Sequence, residues 1–410
     1  MLIALSSYTV SRYTANMNKI SSSPTFCPEP WTTLNIDQTG RVLPCLHSMG
    51  WNQQTDCENT MGNTKQTSIQ TIIRGPVLQE IKAAIARGEW HDFCSSCQQN
   101  EADSGTSART PRVESAPPEI IEQIDQDIDS FKLTNLTVNW TNLCNLTCTY
   151  CNPDTSTAWQ QVMKFPITHV RNESAGLIEL VRDNRDSLTG LTLGGGEPLL
   201  QRGLLELLQE VDSTCVNVMI TTNLSMDLDK NAIYQELRTW PNVTWMVSFD
   251  NVDPAKFEYV RRGADWQLFE QNIQQLTQDH QRVVAHPAYS IYCAFDLDSY
   301  YEFCLANKLT IYWCDLTHPP ALDARRLPDD LRQQAQQDID RILELYGDKP
   351  ENEHLLSLAI LRRYYTQLGL PVNGTVYDSV QLDPAQWRSG TVIRNSYCNN
   401  SIPLPNSGPG

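Results

Sequence analysis

The sequence predicts an α/β protein whose main domain is a partial barrel of six strand–helix units. From about residue 131, short segments rich in apolar and β-branched residues alternate with segments whose apolar residues recur at helical spacing. Six such units in series imply parallel strands joined by crossover helices. Residues 131–315 are too few for a complete eight-unit barrel, which needs about 250 residues. A partial, TIM-like (β/α)6 barrel therefore fits the length.

The same pattern places each element of the barrel. The predicted strands cover residues 135–140, 189–193, 215–222, 242–249, 287–294 and 309–314. The predicted helices lie near residues 155–164, 174–184, 199–210, 228–239, 265–279 and 298–307. Helix-period apolar residues continue at 329–347 and 354–368, which predicts a helical C-terminal extension.

The segments outside the barrel differ in composition. Residues 31–37 are predicted to form a strand, and residues 77–90 a helix that ends near Gly88. Residues 99–119 are polar and rich in Gly and Pro, which indicates a linker or extended bridge. The predicted organisation is an arm (1–24), a small cysteine-rich domain with its linker (25–120), the barrel (121–318), a helical extension (319–398) and a tail (399–410).

Composition and charge exclude several classes of protein. Of the 410 residues, 40% are hydrophobic and 19% are charged, so a sizeable core can form. The net charge of −17 makes nucleic acid an improbable partner and argues against binding to anionic membranes, because both need basic surfaces. No run of about 18 apolar residues predicts a membrane-spanning helix. The first residues lack the charged start and long apolar centre of a signal peptide, so we expect a cytoplasmic protein.

Thirteen cysteines are many for a protein that is expected in the cytoplasm. Their odd number, without an export signal, favours metal or redox use over a disulfide framework. Five of them are scattered and are expected to pack as small hydrophobic residues: Cys215, Cys293, Cys304, Cys314 and Cys398. Isolated histidines such as His286 and His318 show no ligand spacing and are expected to be structural.

The most specific motif is a cysteine triplet directly after the first barrel strand. Cys144, Cys148 and Cys151 have the spacing Cys-x3-Cys-x2-Cys, so one short loop can present three thiolates to an iron–sulfur cube. Cubane clusters usually take four cysteines, and three would leave one iron open to a small ligand. The alternative is a zinc site that borrows a distant fourth ligand. Catalytic groups of barrels gather at the carboxyl ends of strands, where this loop lies.

A second motif ends the next strand. Gly194, Gly195 and Gly196 lack Cβ atoms and let the backbone approach a neighbour closely. Glu197 adds an acceptor suited to an ammonium group, and Pro198 fixes the turn that follows. By itself such a segment could be only a tight turn.

The triplet, followed one strand later by the sequence GGGEP, resembles the radical S-adenosylmethionine (SAM) superfamily over residues 131–315. The resemblance implies that Cys144, Cys148 and Cys151 hold a [4Fe–4S] cluster whose open iron binds SAM. It implies that Tyr150 lies beside the adenine, and that Gly194, Gly195, Gly196 and Glu197 contact the methionine ammonium. Weaker implied contacts to the SAM carboxylate and ribose come from Asn223, Ser248 and Asp250, although a Ser and an Asp there could instead cap the next helix.

A third group of cysteines lies near the N-terminus. Cys27, Cys45, Cys94 and Cys97 could form a four-thiolate site for zinc or an iron–sulfur cluster. Their segments, with Glu101, Ser107 and Arg109, resemble the SPASM/twitch-type auxiliary domain, which implies a second [4Fe–4S] cluster. Here this domain precedes the barrel, whereas in well-understood members it follows. His47 and Cys57 are expected not to be ligands.

The resemblance implies an enzyme that cleaves SAM reductively to a 5′-deoxyadenosyl radical, which abstracts hydrogen from a substrate. A peptide or protein is the expected substrate, and an electron donor such as flavodoxin or ferredoxin the expected partner. Two alternatives remain open at this point: radical modification of a small metabolite or RNA, and a non-catalytic protein with zinc in both sites. The sequence does not mark the general base, the reaction outcome or the oligomeric state.

Overall fold

The computed structural model describes residues 19–48, 60–165, 174–280, 282–316 and 319–370. Six parallel strands form the barrel portion of one sheet, and three strands from the N-terminal region extend that sheet. In chain order the strands are β1 (Thr33–Ile36), β2 (Arg41–Leu43), β3 (Gly62–Asn63), β4 (Asn135–Asn139), β5 (Gly190–Gly194), β6 (Asn217–Thr222), β7 (Val243–Val247), β8 (Val283–Ala285), β9 (Ala288–Tyr289), β10 (Thr310–Ile311) and β11 (Cys314–Asp315).

The order of strands in the main sheet is β10-β8-β7-β6-β5-β4-β1-β2-β3. The six strands from β4 to β10 pair in parallel, which confirms the predicted partial barrel. β1 pairs in parallel with β4, and β2 and β3 are antiparallel to their neighbours. The N-terminal hairpin therefore continues the barrel sheet beyond its first strand.

Sixteen α-helices occur in the described chain. They are α1 (Glu29–Thr32), α2 (Ile69–Ile73), α3 (Pro76–Ala86), α4 (Ser95–Ser104), α5 (Arg109–Glu114), α6 (Pro118–Gln126), α7 (Thr157–Val162), α8 (Ser174–Asp183), α9 (Leu204–Gln209), α10 (Ala232–Leu237), α11 (Pro254–Val260), α12 (Trp266–Asp279), α13 (Leu297–Ala306), α14 (Asp329–Tyr346), α15 (Asn352–Leu355) and α16 (Leu358–Leu368). None of the helices in the described ranges is both long and apolar enough to cross a bilayer.

The two faces of the barrel sheet differ in character. Leu136 and Val138 lie in register with Leu34 and Ile36, and all four are buried. Ile36 lines a cavity with residues of α2 and α8, so helices cover this face. Side chains on the opposite face, which we call the open face, are mostly half-buried: Thr137, Thr192, Met219, Thr221 and Thr244. The strands thus alternate between a helix-covered side and an accessible side.

Three sequence-based assignments were wrong. Residues 287–294 are not one strand: β8 lies earlier, β9 is two residues long, and a turn follows. The polar stretch 99–119 is not an extended bridge but belongs largely to α4, α5 and α6. Within the strand expected at residues 31–37, the first two residues belong to α1.

The ends of the described chain are packed. Ile20 is buried, and Ser21 donates to Asp125 through both its backbone N–H (2.8 Å) and its hydroxyl (2.7 Å). The end of the predicted arm therefore contacts α6. At the other end α14 and α16 pack together, in agreement with the predicted helical extension. Residues 371–398 of that extension, and the tail 399–410, lie outside the described residues.

Candidate active site

The cysteine triplet lies on the loop between β4 and α7. Cys148 is buried, and Cys144 and Cys151 are half-buried. Cys144 and Cys151 are both electrostatic neighbours of Cys148. The fold thus gathers the three sulfurs that the spacing predicted to lie together.

Backbone hydrogen bonds hold this loop from two sides. The Thr147 N–H donates to the Arg262 carbonyl and the Thr149 N–H to the Val260 carbonyl, each at 2.9 Å. On the other side, the Trp159 indole donates to the Cys148 carbonyl at 2.9 Å. The thiols are therefore presented by a loop whose backbone is already fixed.

The glycine-rich end of β5 packs directly against the segment that leads into Cys144. The Gly196 N–H donates to the Thr141 carbonyl at 2.8 Å. A Cβ on Gly196 would lie 2.4 Å from the Leu143 carbonyl oxygen, and one on Gly195 would lie 2.5 Å from that of Thr141. Gly195 also has a φ of +119°, in the region that favours glycine. These glycines are required for the close approach of the cysteine loop.

Glu197 is 1% exposed and is surrounded by donors. Its carboxylate accepts from the Thr222 hydroxyl (2.7 Å) and from the backbone N–H groups of Asn223 (2.7 Å) and Leu199 (3.1 Å). Burial nevertheless raises the pKa of Glu197 to about 7. The side chain joins the ends of β5 and β6, and its contact with a SAM ammonium stays a prediction.

Asn223 follows β6 and faces the cysteine loop. Its amide nitrogen lies 3.1 Å from the Asn145 side-chain oxygen and 3.9 Å from the Cys144 sulfur. Its side-chain oxygen accepts from the Ser225 hydroxyl at 2.6 Å. The structure therefore brings this predicted residue next to the first cysteine.

Tyr150, Asp250 and Arg261 form a buried network beside the loop. The Asp250 carboxylate accepts from the Tyr150 hydroxyl, from Arg261 Nε and from the Ala288 N–H, all at 2.9 Å. The guanidinium carbon of Arg261 lies 5.2 Å from the centroid of the Tyr150 ring. No sequence motif pointed to Arg261; only its three-dimensional contacts identify it.

The capping role considered for the residues after β7 is wrong for Asp250. The next helix, α11, is capped by Asp253, whose side chain accepts from the Lys256 N–H. Ser248 is half-buried at the end of β7, and its N–H donates to the Thr222 carbonyl. Contacts of Ser248 and Asp250 with SAM stay predictions.

The thiols of the loop differ in acidity. Burial raises the pKa of Cys144 to about 11. A hydrogen bond from Cys151, together with the Arg261 charge, lowers the pKa of Cys148 to about 7 despite its burial. The pKa of Cys151 is well above its ordinary value, because its thiol gives that hydrogen bond and is itself buried. A metal group bound here would have to displace protons from at least two of the three thiols.

The N-terminal cysteines also come together, at the start of β1. Cys27 precedes α1, Cys45 follows β2 by two residues, and Cys94 and Cys97 lie where α4 begins. Cys27 has Cys45 and Cys94 as electrostatic neighbours, and Cys94 has Cys97. Burial raises the pKa of Cys27, of Cys45 (to about 12) and of Cys94.

Glu101, Ser107 and Arg109 organise this second site. Arg109 pairs with Glu101 through two nitrogens, at 2.9 and 2.7 Å, and donates to the Phe26 carbonyl at 2.6 Å, next to Cys27. The Ser107 hydroxyl donates to Glu101 at 2.6 Å. The Arg109 charge faces Cys27 and Cys97. The three residues that accompanied the cysteines in the sequence thus support them in the fold.

The remaining candidates divide into several groups. Cys293 and Cys304 are buried as expected and Cys314 is half-buried, whereas Cys215 is exposed, against expectation. His47 is exposed, and His286 hydrogen bonds the Tyr312 carbonyl at 2.9 Å. Cys57, Cys398 and His318 lie outside the described residues.

Among the residues that the structure describes, no group of three or more His, Cys, Asp or Glu side chains is placed to hold a single metal ion.

Comparison with known families agrees with both sites. Residues 138–287 match the Radical SAM superfamily, and residues 27–98 match SPASM, an iron–sulfur cluster-binding domain. The chain carries a radical SAM domain. Its SPASM domain precedes the radical SAM domain, as the sequence predicted.

Curated relatives match part of this radical SAM protein. A GTP 3′,8-cyclase from Peptoclostridium acidaminophilum is 28% identical over 135 residues, 32% of this chain and 39% of that enzyme. A 7-carboxy-7-deazaguanine synthase from Clostridium acetobutylicum is 36% identical over 88 residues, 21% of this chain and 36% of that enzyme. The matched stretches thus span about two fifths of the relatives' length.

Solved structures show a more distant likeness. Native anSMEcpe with bound AdoMet is 12% identical, with a TM-score of 0.38 over 54% of this chain and 62% of that chain. Streptococcus suis SuiB bound to precursor peptide SuiA is 14% identical, with a TM-score of 0.40 over 65% of this chain and 63% of that chain.

The two matched domain families indicate which cofactors the protein binds, and the two groups of cysteine thiols are suited to those cofactors. A radical SAM domain binds a [4Fe–4S] cluster together with SAM, and the three thiols of one loop fit that cluster with one corner left over. The SPASM domain binds an auxiliary iron–sulfur cluster, for which the four N-terminal thiols are suited. The predicted cofactors of this radical SAM protein are thereby confirmed. The assignment of individual ligands stays a prediction.

Proposed function

We propose that this protein is a radical SAM enzyme that modifies a peptide or protein. When bound, its cluster supplies the electron that cleaves SAM into methionine and a 5′-deoxyadenosyl radical, and that radical removes a hydrogen atom from the substrate. Cys144, Cys148 and Cys151 would hold this cluster. The protein's own contribution is to bind SAM, orient the substrate and exclude water.

The predicted SAM contacts lie at the carboxyl ends of successive strands. Glycines 194–196 and Glu197 end β5, Asn223 follows β6, and Ser248 follows β7. In parallel sheets these ends share one edge, and the cysteine loop leaves β4 at the same edge. Tyr150 lies on that loop, with its hydroxyl bound to Asp250 (2.9 Å), which limits the rotation of the ring. These residues would hold SAM at the edge of the sheet where the cysteine loop lies.

The uncharged, polar character of the open face supports a peptide substrate. On the described barrel strands, from β4 to β8 and β10, the open-face residues are Asn, Thr, Gly, Met and Val, without a charged side chain. Hydroxyl and amide groups can both donate and accept, which matches the N–H and C=O groups of a peptide. A nucleoside triphosphate would require cations that these positions do not offer.

The names of the relatives favour a second candidate. Both curated relatives described above are named for reactions on guanine-type metabolites, and the longer match lies at 28% identity. The second candidate is therefore radical modification of a small metabolite. In that case cations outside the barrel strands would have to bind any phosphate.

A hydrogen-transfer experiment tests the proposal. The protein, reconstituted with iron and sulfide and reduced with dithionite, is incubated with SAM and with fractions from cells grown on deuterated medium. We expect 5′-deoxyadenosine to acquire deuterium only with the peptide fraction. Deuterium transfer from the small-molecule fraction alone would support the metabolite candidate. The absence of 5′-deoxyadenosine from every reaction with an intact cluster would overturn both candidates.

We further propose that the reaction takes place in the cytoplasm with a flavodoxin or ferredoxin as electron donor. All eleven cysteines among the described residues are free thiols, which suits a reducing compartment. Reduction of the reconstituted protein by a flavodoxin system in place of dithionite would test the donor.

A further inference from the structure

We propose that Arg261 is a positioning residue that fixes the cysteine loop and makes the cluster held by that loop easier to reduce. This role goes beyond the proposed function and does not depend on the identity of the substrate.

Arg261 occupies a closed position next to the loop. It follows α11 directly, and its side chain is 9% exposed. Its Nε donates to the Asp250 carboxylate at 2.9 Å, and that carboxylate is completely buried. The other two bonds of Asp250, to the Tyr150 hydroxyl and the Ala288 N–H, keep the carboxylate in place. Asp250 therefore fixes the polar edge of the guanidinium, and the Tyr150 ring covers its flat face.

The Arg261 guanidinium lies over the ring of Tyr150, which stands between Cys148 and Cys151 in the chain. Its charge acts on both of these thiols. Reduction adds negative charge to a cluster and its thiolates. A buried cation close to the ligand sulfurs stabilises that reduced form, because the charges interact in a medium that screens them weakly. The potential of the cluster should therefore be higher with Arg261 than without it.

The backbone around Arg261 contributes the positioning. The carbonyls of its two neighbours, Val260 and Arg262, accept from the N–H groups of Thr149 and Thr147. Cys148 lies between these two threonines. The segment that carries the cation is thus tied to the loop on both sides of Cys148.

The adjacent Arg262 provides a matched control. Its guanidinium carbon lies 5.5 Å from the Tyr259 ring, and its charge, unlike that of Arg261, is not among the main influences on the three cysteines of the loop. Arg261→Gln and Arg262→Gln remove the same charge one residue apart. Only the first should change the cluster.

The experiment is a redox titration followed by electron paramagnetic resonance, without substrate. The cluster on the cysteine loop is identified as the signal that changes when SAM is added. At the potential that half-reduces this cluster in the wild-type protein, we expect Arg261→Gln to lower the ratio of reduced to oxidised cluster about tenfold, or about 59 mV for one electron. Arg262→Gln should leave the ratio unchanged. Equal potentials in all three proteins, or an equal shift in both variants, would overturn the proposal.

A third variant covers the case in which Arg261→Gln does not hold the cluster. Arg261→Lys keeps the charge but loses the planar guanidinium with its several N–H donors. We expect this variant to retain iron and to show a smaller shift in the reduction potential of the cluster. The SPASM cluster serves as an internal measure of folding. Loss of only the SAM-sensitive signal, with the SPASM iron retained, would support the positioning role. Loss of all iron and of the folded structure in both variants would assign Arg261 to folding and overturn the proposal.

Discussion

The two cysteine sites of this protein are assembled in different ways. The radical SAM site takes its three thiols from eight consecutive residues of one loop. The SPASM site takes four thiols from three segments between residues 27 and 97, which a hairpin and two helices bring together. The first group of thiols is therefore encoded locally, whereas the second depends on the packing of its domain. Substitutions should show that one site depends on a single loop and the other on the packing of the SPASM domain.

The largest effect is expected from removing one ligand at each site. Cys144→Ala should reduce 5′-deoxyadenosine formation to background, because two thiols cannot hold a cluster in a reactive position. The SPASM iron should remain. Cys45→Ala is the matched variant and should lose SPASM iron while uncoupled SAM cleavage stays measurable. Iron and sulfide quantitation checks both results, and loss of both clusters from either variant would contradict the independence of the two sites.

A methyl group on the glycine-rich strand end should disturb only the radical SAM site. Gly196→Ala would place its Cβ 2.4 Å from the Leu143 carbonyl oxygen, so the cysteine loop must move. We expect a loss of stability of about 3 kcal/mol and poor cluster loading, since backbone cannot yield as a flexible side chain does.

The control for this change is Gly176→Ala, on α8. Its Cβ would meet only the Ile69 side chain, at 3.8 Å, an ordinary contact. This variant should be neutral or stabilised by about 0.5–1 kcal/mol, because alanine favours a helix. Denaturant unfolding of both proteins checks the difference, and equal effects would show that the close approach at Gly196 does not matter.

Glu197 should make the stability of the cluster-free protein depend on pH. Its pKa is about 7 in the folded state, above the ordinary 4.5, so the folded protein holds a proton that the unfolded chain has lost. Stability should therefore fall as pH rises from about 4.5 to 7, by about 3 kcal/mol in all. Glu197→Gln should remove most of this slope. Thermal melting of the wild type and of Glu197→Gln at pH 5.5 and 8 checks this prediction. The same change in melting temperature between the two pH values in both proteins would contradict the raised pKa.

A smaller effect is expected at the ion pair of the SPASM site. Arg109→Lys keeps the charge but loses the two-point contact with Glu101 and the bond to the Phe26 carbonyl. We expect a loss of about 1–2 kcal/mol and slower uptake of SPASM iron, with no change in SAM cleavage. Arg87→Lys, in an exposed ion pair, is the control and should behave as wild type. Equal iron uptake in both variants would exclude a role for the pair.

Much of the fold and the site could be predicted because the signals are local. The alternation of strands and helices placed β4, β5, β6 and β7 within about two residues. The helix α11 was missed although Asp253 and Pro254 are a standard helix start. The helices within residues 99–119 were missed because the polar, Gly- and Pro-rich composition indicated a linker, whereas proline is favoured in the first turn of a helix such as α6.

Other features could not be predicted because they depend on contacts between distant segments. β8 has only three residues, and the apolar stretch after Pro287 resembles a strand more strongly than β8 does. That stretch turns because Ser290 bonds with Cys293 instead of with a neighbouring strand. The pairing of β1 with β4 joins residues about a hundred positions apart, and no local pattern encodes it.

The sequence alone determined the ligand chemistry of this protein: three thiols on one loop and a glycine-rich strand end, because both need only short-range spacing. The tertiary structure alone decided that the N-terminal hairpin extends the barrel sheet, that Glu197 is buried among donors, and that Arg261 packs over Tyr150 in the cysteine loop. Such arrangements arise when the strands pair and the core excludes water, and residue order by itself does not specify which side chains then meet.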